Sequence, residues 1–375
     1  MSSSSLPESG TCMPPQLKLQ VFDENVQLLK CFTEKQFLEC LRVSSDNSEI
    51  PDLSQSLSID DFCSLANDIS QSIKARRAHH LLCIYLFLPT HDFSSDFMKY
   101  DLLVFKDTGN KIDNGHITGS KCRPDIIAAF EKDWLIDAST DWALIRLAGN
   151  RASRGKSFET LKKNAATYLH SFLLARPDFL VAQGLLITTS GVMFLVGIGG
   201  VGIQHLTVKW HDKNLYTLLY AFIYRLYDPS HFADPLFTRT GFNEETSEVT
   251  YTVQFKMKEC PDFRNIYARN PFTIRTHVFS NPSPTKWGDR FPTVLKEQLC
   301  RTRRRFDERT ILTKIHHPTK VPGVVEAVGS EIIVTPLSPG RVKHRLGLQQ
   351  MRSPFTSIPT AKKVLETLFD LLEGI

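Results

Sequence analysis

The chain has 375 residues and 42% hydrophobic content, more than one core needs, so two or three packed units are expected. Its 45 Lys and Arg against 40 Asp and Glu leave a net charge of +5, too mild to imply nucleic acid on its own. Eight cysteines, at 12, 31, 40, 63, 83, 122, 260 and 300, make no CxxC pair, which argues against a zinc ribbon or a disulfide framework and for buried free thiols. No stretch reaches the ~18 to 20 apolar residues that a membrane span needs. The polar start MSSSSLPESGTCMPP has no secretory pattern, so an intracellular protein, cytoplasmic or nuclear, is expected.

Residues 1–15, rich in Ser and Pro, read as a disordered tail. From 17 to about 74, apolar groups (Val26, Leu28, Leu29; Phe37, Leu38, Leu41; Phe62, Leu65, Ile69) recur near helical spacing and predict a helical region. The runs 79–88 (HHLLCIYLFL) and 101–106 (DLLVFK) fit buried strands. Phe158, Leu161, Ala165, Tyr168, Leu169, Phe172 and Leu173 then line one helix face, which ARPDF ends. LLITT, VMFLV and IQHLTV, between 184 and 208, predict a meander, and Leu215, Leu218, Leu219, Phe222, Ile223 and Leu226 predict another helix. A domain boundary is expected near residue 240. Beyond it TVQFKM, TIRTHVF, TVLK, GVVEAV and EIIVTP read as strands, and 361–372 as a final helix burying Val364, Leu365, Leu368, Phe369 and Leu372.

GIGGVG, residues 197–202, matches a phosphate-binding GxGxxG, but that chemistry needs a helix after the glycines. The alternating IQHLTVKW that follows predicts a glycine-rich hairpin loop instead. RPDI, residues 123–126, resembles the metal-dependent nuclease core, in which an Asp and a downstream Glu-x-Lys hold a divalent cation. The next strand-like stretch, DWALIRLA at 141–148, carries Ile, Arg and Leu there, so a structural Asp125 is expected. The basic CRTRRRF, 300–306, is read as a solvated helix face, with phosphate-backbone binding as the functional alternative. Neither His79-His80 nor His316-His317 has Cys or carboxylate partners at ligand spacing, so no metal site is assigned.

VLKEQ and FDERTIL hold Lys296 and Glu308, twelve positions apart. In a kinase small lobe a strand lysine contacts the nucleotide's phosphates and is held by a helix glutamate. ERTILTKI followed by VPGVVEAV, together with KCRPDIIAAF, LLARPDF, QGLLITTSGVMFLV and TLLYAFIYRLYDP upstream, resembles the fungal-type protein kinase family in the order of its pieces. That resemblance implies an α/β and α+β chain: a helical plus mixed α/β unit over 16–240, with a restriction-endonuclease-like fold as the candidate for its middle, then a protein-kinase-like small lobe over 245–375. It implies a serine/threonine-type kinase ancestry, ATP with magnesium as the cofactor, and Lys296 and Glu308 as the ATP-site pair. GVVEAVGSEIIVTPL becomes the fourth and fifth strands, and 361–375 the helix before the catalytic loop. The HRD-type and DFG-type loops of the family do not occur in the 375 residues, and the segment 273–281, where its glycine-rich loop is expected, has no glycine. The expectation is therefore a truncated or inactive kinase-like protein, with no catalytic or metal-binding residue assigned and ATP binding weakened by the missing glycines. A non-catalytic module that binds a protein partner is the alternative, and nucleic-acid binding a weaker one.

Overall fold

A computed structural model describes residues 29–31, 58–87, 101–108, 122–134, 141–152, 157–227, 232–243, 245–246, 248–269, 271–272, 275–281, 292–301, 308–319, 325–334 and 341–349. Among these residues two sheets and four α-helices form, within two compact units, Met1–Ala233 and Asp234–Ile375. The expected tail over 1–15, most of the helical region expected before residue 58 and the final helix over 361–372 lie outside the described residues.

In the first unit the longest apolar strands take the middle of the sheet. β5 (Val181–Ile187) and β6 (Gly191–Ile198) are buried at every position, because both of their faces are covered. Around them run β1 (Leu29–Cys31), α1 (Ile59–Phe87), β2 (Leu103–Asp107), β3 (Ile126–Phe130), β4 (Leu147–Arg151), α2 (Phe158–Ala175), β7 (Gly202–Lys209) and α3 (Leu215–Tyr227). The sheet order is β1-β7-β6-β5-β4-β3-β2. β4 pairs with β5 and β1 with β7 in parallel, and all other neighbours are antiparallel.

Local chemistry sets the helix limits. Ser157 Oγ accepts the Thr160 N–H at 3.2 Å and caps α2, which stops at Ala175 because Pro177 biases Arg176 away from helical backbone. Its buried stripe includes Leu161, Ala165, Leu169 and Phe172, and it comes so close to β5 that a Cβ on Gly184 would stand 3.0 Å from Leu169 Cδ2. α1 opens with a reciprocal cap: the Asp61 N–H donates to Ser58 Oγ at 3.1 Å, and the Ser58 N–H donates to Asp61 Oδ2 at 3.2 Å. No Gly or Pro interrupts 59–87, so the helix runs on through 79–87. The strand expected there is thus corrected, since an apolar run alone does not separate a buried strand from a helix. Leu29, expected on a helix, lies in β1 beside β7. Tyr227 Oη then ties three elements together, accepting the Leu103 N–H at 2.9 Å and lying 2.7 Å from Ser70 Oγ.

The meander holds as β5-β6-β7, with the glycine motif in its second turn. Ile198 pairs with Gly202, and Gly200 takes φ 73°, a left-handed conformation that glycine adopts without strain. The residues after the motif form β7, so no helix N-terminus faces the glycines.

The second unit is a seven-stranded antiparallel sheet, ordered β13-β14-β12-β11-β10-β9-β8. Its elements are β8 (Phe237–Asn243), β9 (Glu248–Phe255), β10 (Lys258–Arg269), β11 (Arg275–Ser280), β12 (Val294–Arg301), α4 (Glu308–Ile315), β13 (Ala327–Val334) and β14 (Arg341–Leu348). The boundary expected near 240 falls inside β8, which pairs with β9, so the change of unit comes at 233/234. β8, β10 and β14 were not expected as strands, while GVVEAV and EIIVTP, expected as two, meet in the single strand β13. GVVEAVGSEIIVTPL therefore supplies one strand of the hairpin, and β14 the other.

Two cores hold this sheet. Phe237, Tyr251 and Phe279 stack edge-on or tilted, with ring centroids 5.1 to 6.5 Å apart. Beside them lies a dry ionic cluster. Arg345 donates from Nε to Glu297 Oε2 at 2.7 Å and from Nη1 to the Gln254 carbonyl at 2.7 Å. Lys343 pairs with Asp234 and, at 3.2 Å, with Glu297 Oε1. Burial, then the neighbouring Arg345 cation, pulls the Lys343 pKa well below the ordinary lysine value. The β9–β10 turn places two non-glycine residues, Lys256 and Met257, at φ 51° and 62°. Glu331 Oε2 accepts the Lys256 N–H at 2.8 Å and fixes the turn against β13.

Candidate functional site

β12 is pleated, so its odd and even positions serve opposite faces. Leu295, Glu297 and Leu299 are buried, with Glu297 in the ionic cluster, whereas Lys296 and Gln298 face a recess under α4. α4 is anchored by Leu312, the buried residue of its apolar stripe, and its far end is tied by a 3.1 Å contact from His316 Nε2 to the Val325 carbonyl. That position brings Glu308, in its first turn, over the end of Lys296. Lys296 Nζ donates to both Glu308 oxygens, at 2.9 and 2.7 Å.

The lysine and glutamate side chains keep 26% and 41% of their exposure, so the pair is open to solvent and contributes little to stability, about 0–1 kcal/mol. Its function is positional: Nζ is held at the mouth of a recess lined by Lys296, Gln298, Glu308, Arg309, Ser330 and His344. Gln298, Arg309, Ser330 and His344 were not singled out in the sequence. Only the strand β14, whose KHR run reads as surface, could have signalled them.

The segment 273–281, where a glycine-rich loop is expected, contains β11. The β10–β11 connection, 270–274, reads NPFTI and has no glycine either. Thus no residue there lets the backbone approach an anion as glycine does.

Asp125 sits just before β3 and is a joint between strands: its Oδ2 accepts the Arg151 N–H at 2.9 Å, and its carbonyl accepts the Thr108 N–H at 2.9 Å. β4 starts at Leu147 and runs LAGNR, later than the expected 141–148, and carries no carboxylate. Among the described residues no group of three His, Cys, Asp or Glu side chains is placed to hold a metal ion. In the basic cluster 300–306, Cys300 and Arg301 belong to β12 and not to a helix, and 302–307 lie outside the described residues. Cys63, Cys122 and Cys260 are free thiols. Burial, then the Asp107 and Asp60 carboxylates, pushes Cys63 up to about 12, and burial, then Glu331, pushes Cys260 up to about 11, so neither is a ready nucleophile. Among the described residues no helix is long and apolar enough to cross a membrane.

Compared with known proteins, the chain matches no protein-family model, no curated protein and no solved structure.

Proposed function

We propose that the second unit is a protein-kinase-like small lobe of the fungal-type protein kinase kind, in which Lys296 is the phosphate-contacting lysine and Glu308 its helix partner. The observation that carries this reading is the two-pronged bond from Lys296 Nζ to Glu308, made from a sheet strand to the next helix. The order of elements supports it: lysine strand β12, glutamate helix α4, then the hairpin β13–β14, with β14 returning beside β12. The cofactor of the reading is ATP with magnesium. Within these 375 residues no HRD-type base or DFG-type metal ligand occurs. A positioned general base is worth about 10²–10⁴-fold in rate, so phosphotransfer by this polypeptide is not part of the proposal. For the first unit the finer reading is a nuclease-like core kept as scaffold, with Asp125 bonded to the Arg151 amide where a cation would need it.

The test is titration of the full chain with MgATP, followed by amide shifts in β12 and α4. Shifts there that vanish in Lys296→Ala support the reading. Their absence at saturating nucleotide refutes it. A second reading, a non-catalytic module for a protein partner, is favoured by three exposed apolar side chains, Ile311 (44%), Ile315 (40%) and Ile332 (64%). Binding of the dye ANS that disappears in the Ile311→Asp, Ile315→Asp double variant supports it, and no dye binding by the intact chain counts against it.

A further inference from the structure

The outer edge of β2 is closed by side chains. Among the described residues β2 is the last strand of the first sheet. The Leu102 carbonyl and the Thr108 N–H bond across to the chain flanking β3, so even positions serve that pairing and Leu103, Phe105 and Asp107 turn their backbone groups outward. At Phe105 the side chain of Asn67, on α1, stands where a neighbouring strand would: Oδ1 accepts the Phe105 N–H at 2.8 Å and Nδ2 donates to the Phe105 carbonyl at 3.1 Å. At Leu103, Ser70 Oγ donates to the carbonyl and Tyr227 Oη accepts the N–H at 2.9 Å. Ser70 is fully buried, so the Leu103 rung needs these protein partners. Asn67 is only half-buried, at the rim, where water can serve a backbone group as well as an amide does. What water does not do is keep out another extended chain, and an open sheet edge invites one.

We propose that Asn67 guards this edge and that the strand it excludes is β2 of a second copy of this chain. Two β2 edges related by a two-fold axis at Phe105 pair antiparallel, with 103 opposite 107 and 104 opposite 106. In that register Lys106 meets Val104 and Asp107 meets Leu103, so no like charges oppose each other. The outward groups of Leu103, Phe105 and Asp107 then line up as the rungs of one ladder. The inference is independent of the kinase-like reading, because every residue in it belongs to the first unit.

Sedimentation velocity of the full chain and its variants over a concentration series, with hydrogen exchange of residues 103–107, tests this. Asn67→Ala opens the Phe105 rung, and that amide should exchange at least about fivefold faster in dilute solution, as loss of a hydrogen bond implies. At higher concentration the variant should associate beyond the unaltered chain, with the Phe105 amide protected again. Asn67→Asp keeps an acceptor for the Phe105 N–H but puts a charge on the edge, so it should keep the unaltered chain's mass. Asp107→Pro, added to Asn67→Ala, removes an outward N–H and spares the bonds to β3, so it should abolish the new association. Circular dichroism confirms folded variants, and Asn67→Ser carries the same expectations should the alanine variant fail to fold. An Asn67→Ala chain that keeps the unaltered mass at every concentration overturns the inference, as does association that persists with Asp107→Pro. Equal association of the alanine and aspartate variants also overturns it, because that marks general loosening of α1 rather than an open edge.

Discussion

Arg345→Met is the perturbation that the second unit should tolerate least. Arg345 is fully buried and meets Glu297 at 2.7 Å, the Gln254 carbonyl at 2.7 Å, and Asp234 and Glu331 at 3.5 Å each. Two cations, Lys343 and Arg345, here face three carboxylates, Asp234, Glu297 and Glu331. Removing Arg345 leaves the buried Asp234 and Glu297 and the part-exposed Glu331 with Lys343 as their remaining basic partner, and strips the Gln254 carbonyl of a donor. Breaking a buried ion pair from one side costs about 3–5 kcal/mol. That is a large part of the ~5–15 kcal/mol that holds a typical domain. Methionine nearly fills the volume, so the loss is one of charge and hydrogen bonding rather than packing. The companion Glu297→Gln, Arg345→Met removes one charge of each sign and should recover a good part of the loss. Hydrogen exchange of the β12 amides, followed by mass spectrometry through a urea series, isolates the second unit from the first. A loss under about 1 kcal/mol for Arg345→Met, or a double variant whose cost equals the sum of the singles, would refute the reasoning.

Lys296→Ala should shift stability by no more than about 1 kcal/mol in the same assay, because the Lys296–Glu308 pair is solvent-exposed, while ligand binding in the recess is lost. Met257→Gly should raise stability by about 1 kcal/mol, measured by thermal melting, since Met257 is fully exposed and held at φ 62°. In the first unit, burial would raise the Asp178 pKa, but the Arg176 guanidinium, at 2.7 and 2.9 Å, overcomes it and holds the carboxyl below its ordinary 3.8. The folded state then binds fewer protons than the unfolded one as pH falls through 3.8, so stability present above that value is lost below it. Asp178→Asn should flatten this acid limb in a pH series of melts, and an unchanged slope would count against it.

The apolar periodicities carried most of the first unit. Phe158 to Leu173 and Leu215 to Leu226 mark α2 and α3 because a stripe at three- and four-residue steps has no use outside a helix. The run at 79–88 misled because it is mostly apolar, and only the cap at Ser58, well upstream, tells that it belongs to α1. In the second unit β10 escaped because register breaks between Cys260 and Phe263 and between Asn265 and Tyr267 space its buried Cys260, Phe263 and Ala268 irregularly, and β14 because its inward positions include Lys343 and Arg345. β14 reads RVKHRLGL, and it is a strand because Lys343 and Arg345 find carboxylates inside. Those partners come from Asp234 and Glu297, 109 and 48 residues away, a distance no local pattern spans. Lys296 and Glu308 were legible for the opposite reason, being twelve residues apart on consecutive elements.

β12 carries neighbouring charges of opposite sign on opposite faces: Lys296 looks into the recess, and Glu297 into the dry cluster. Deleting the codon for Leu295 would turn Lys296 to the face of the dry cluster and bring Glu297 to the position that faces the recess. One such deletion would damage both the stability and the binding of this unit. Lineages that change length around β12 should therefore do so in 282–291 or 302–307, outside the strand.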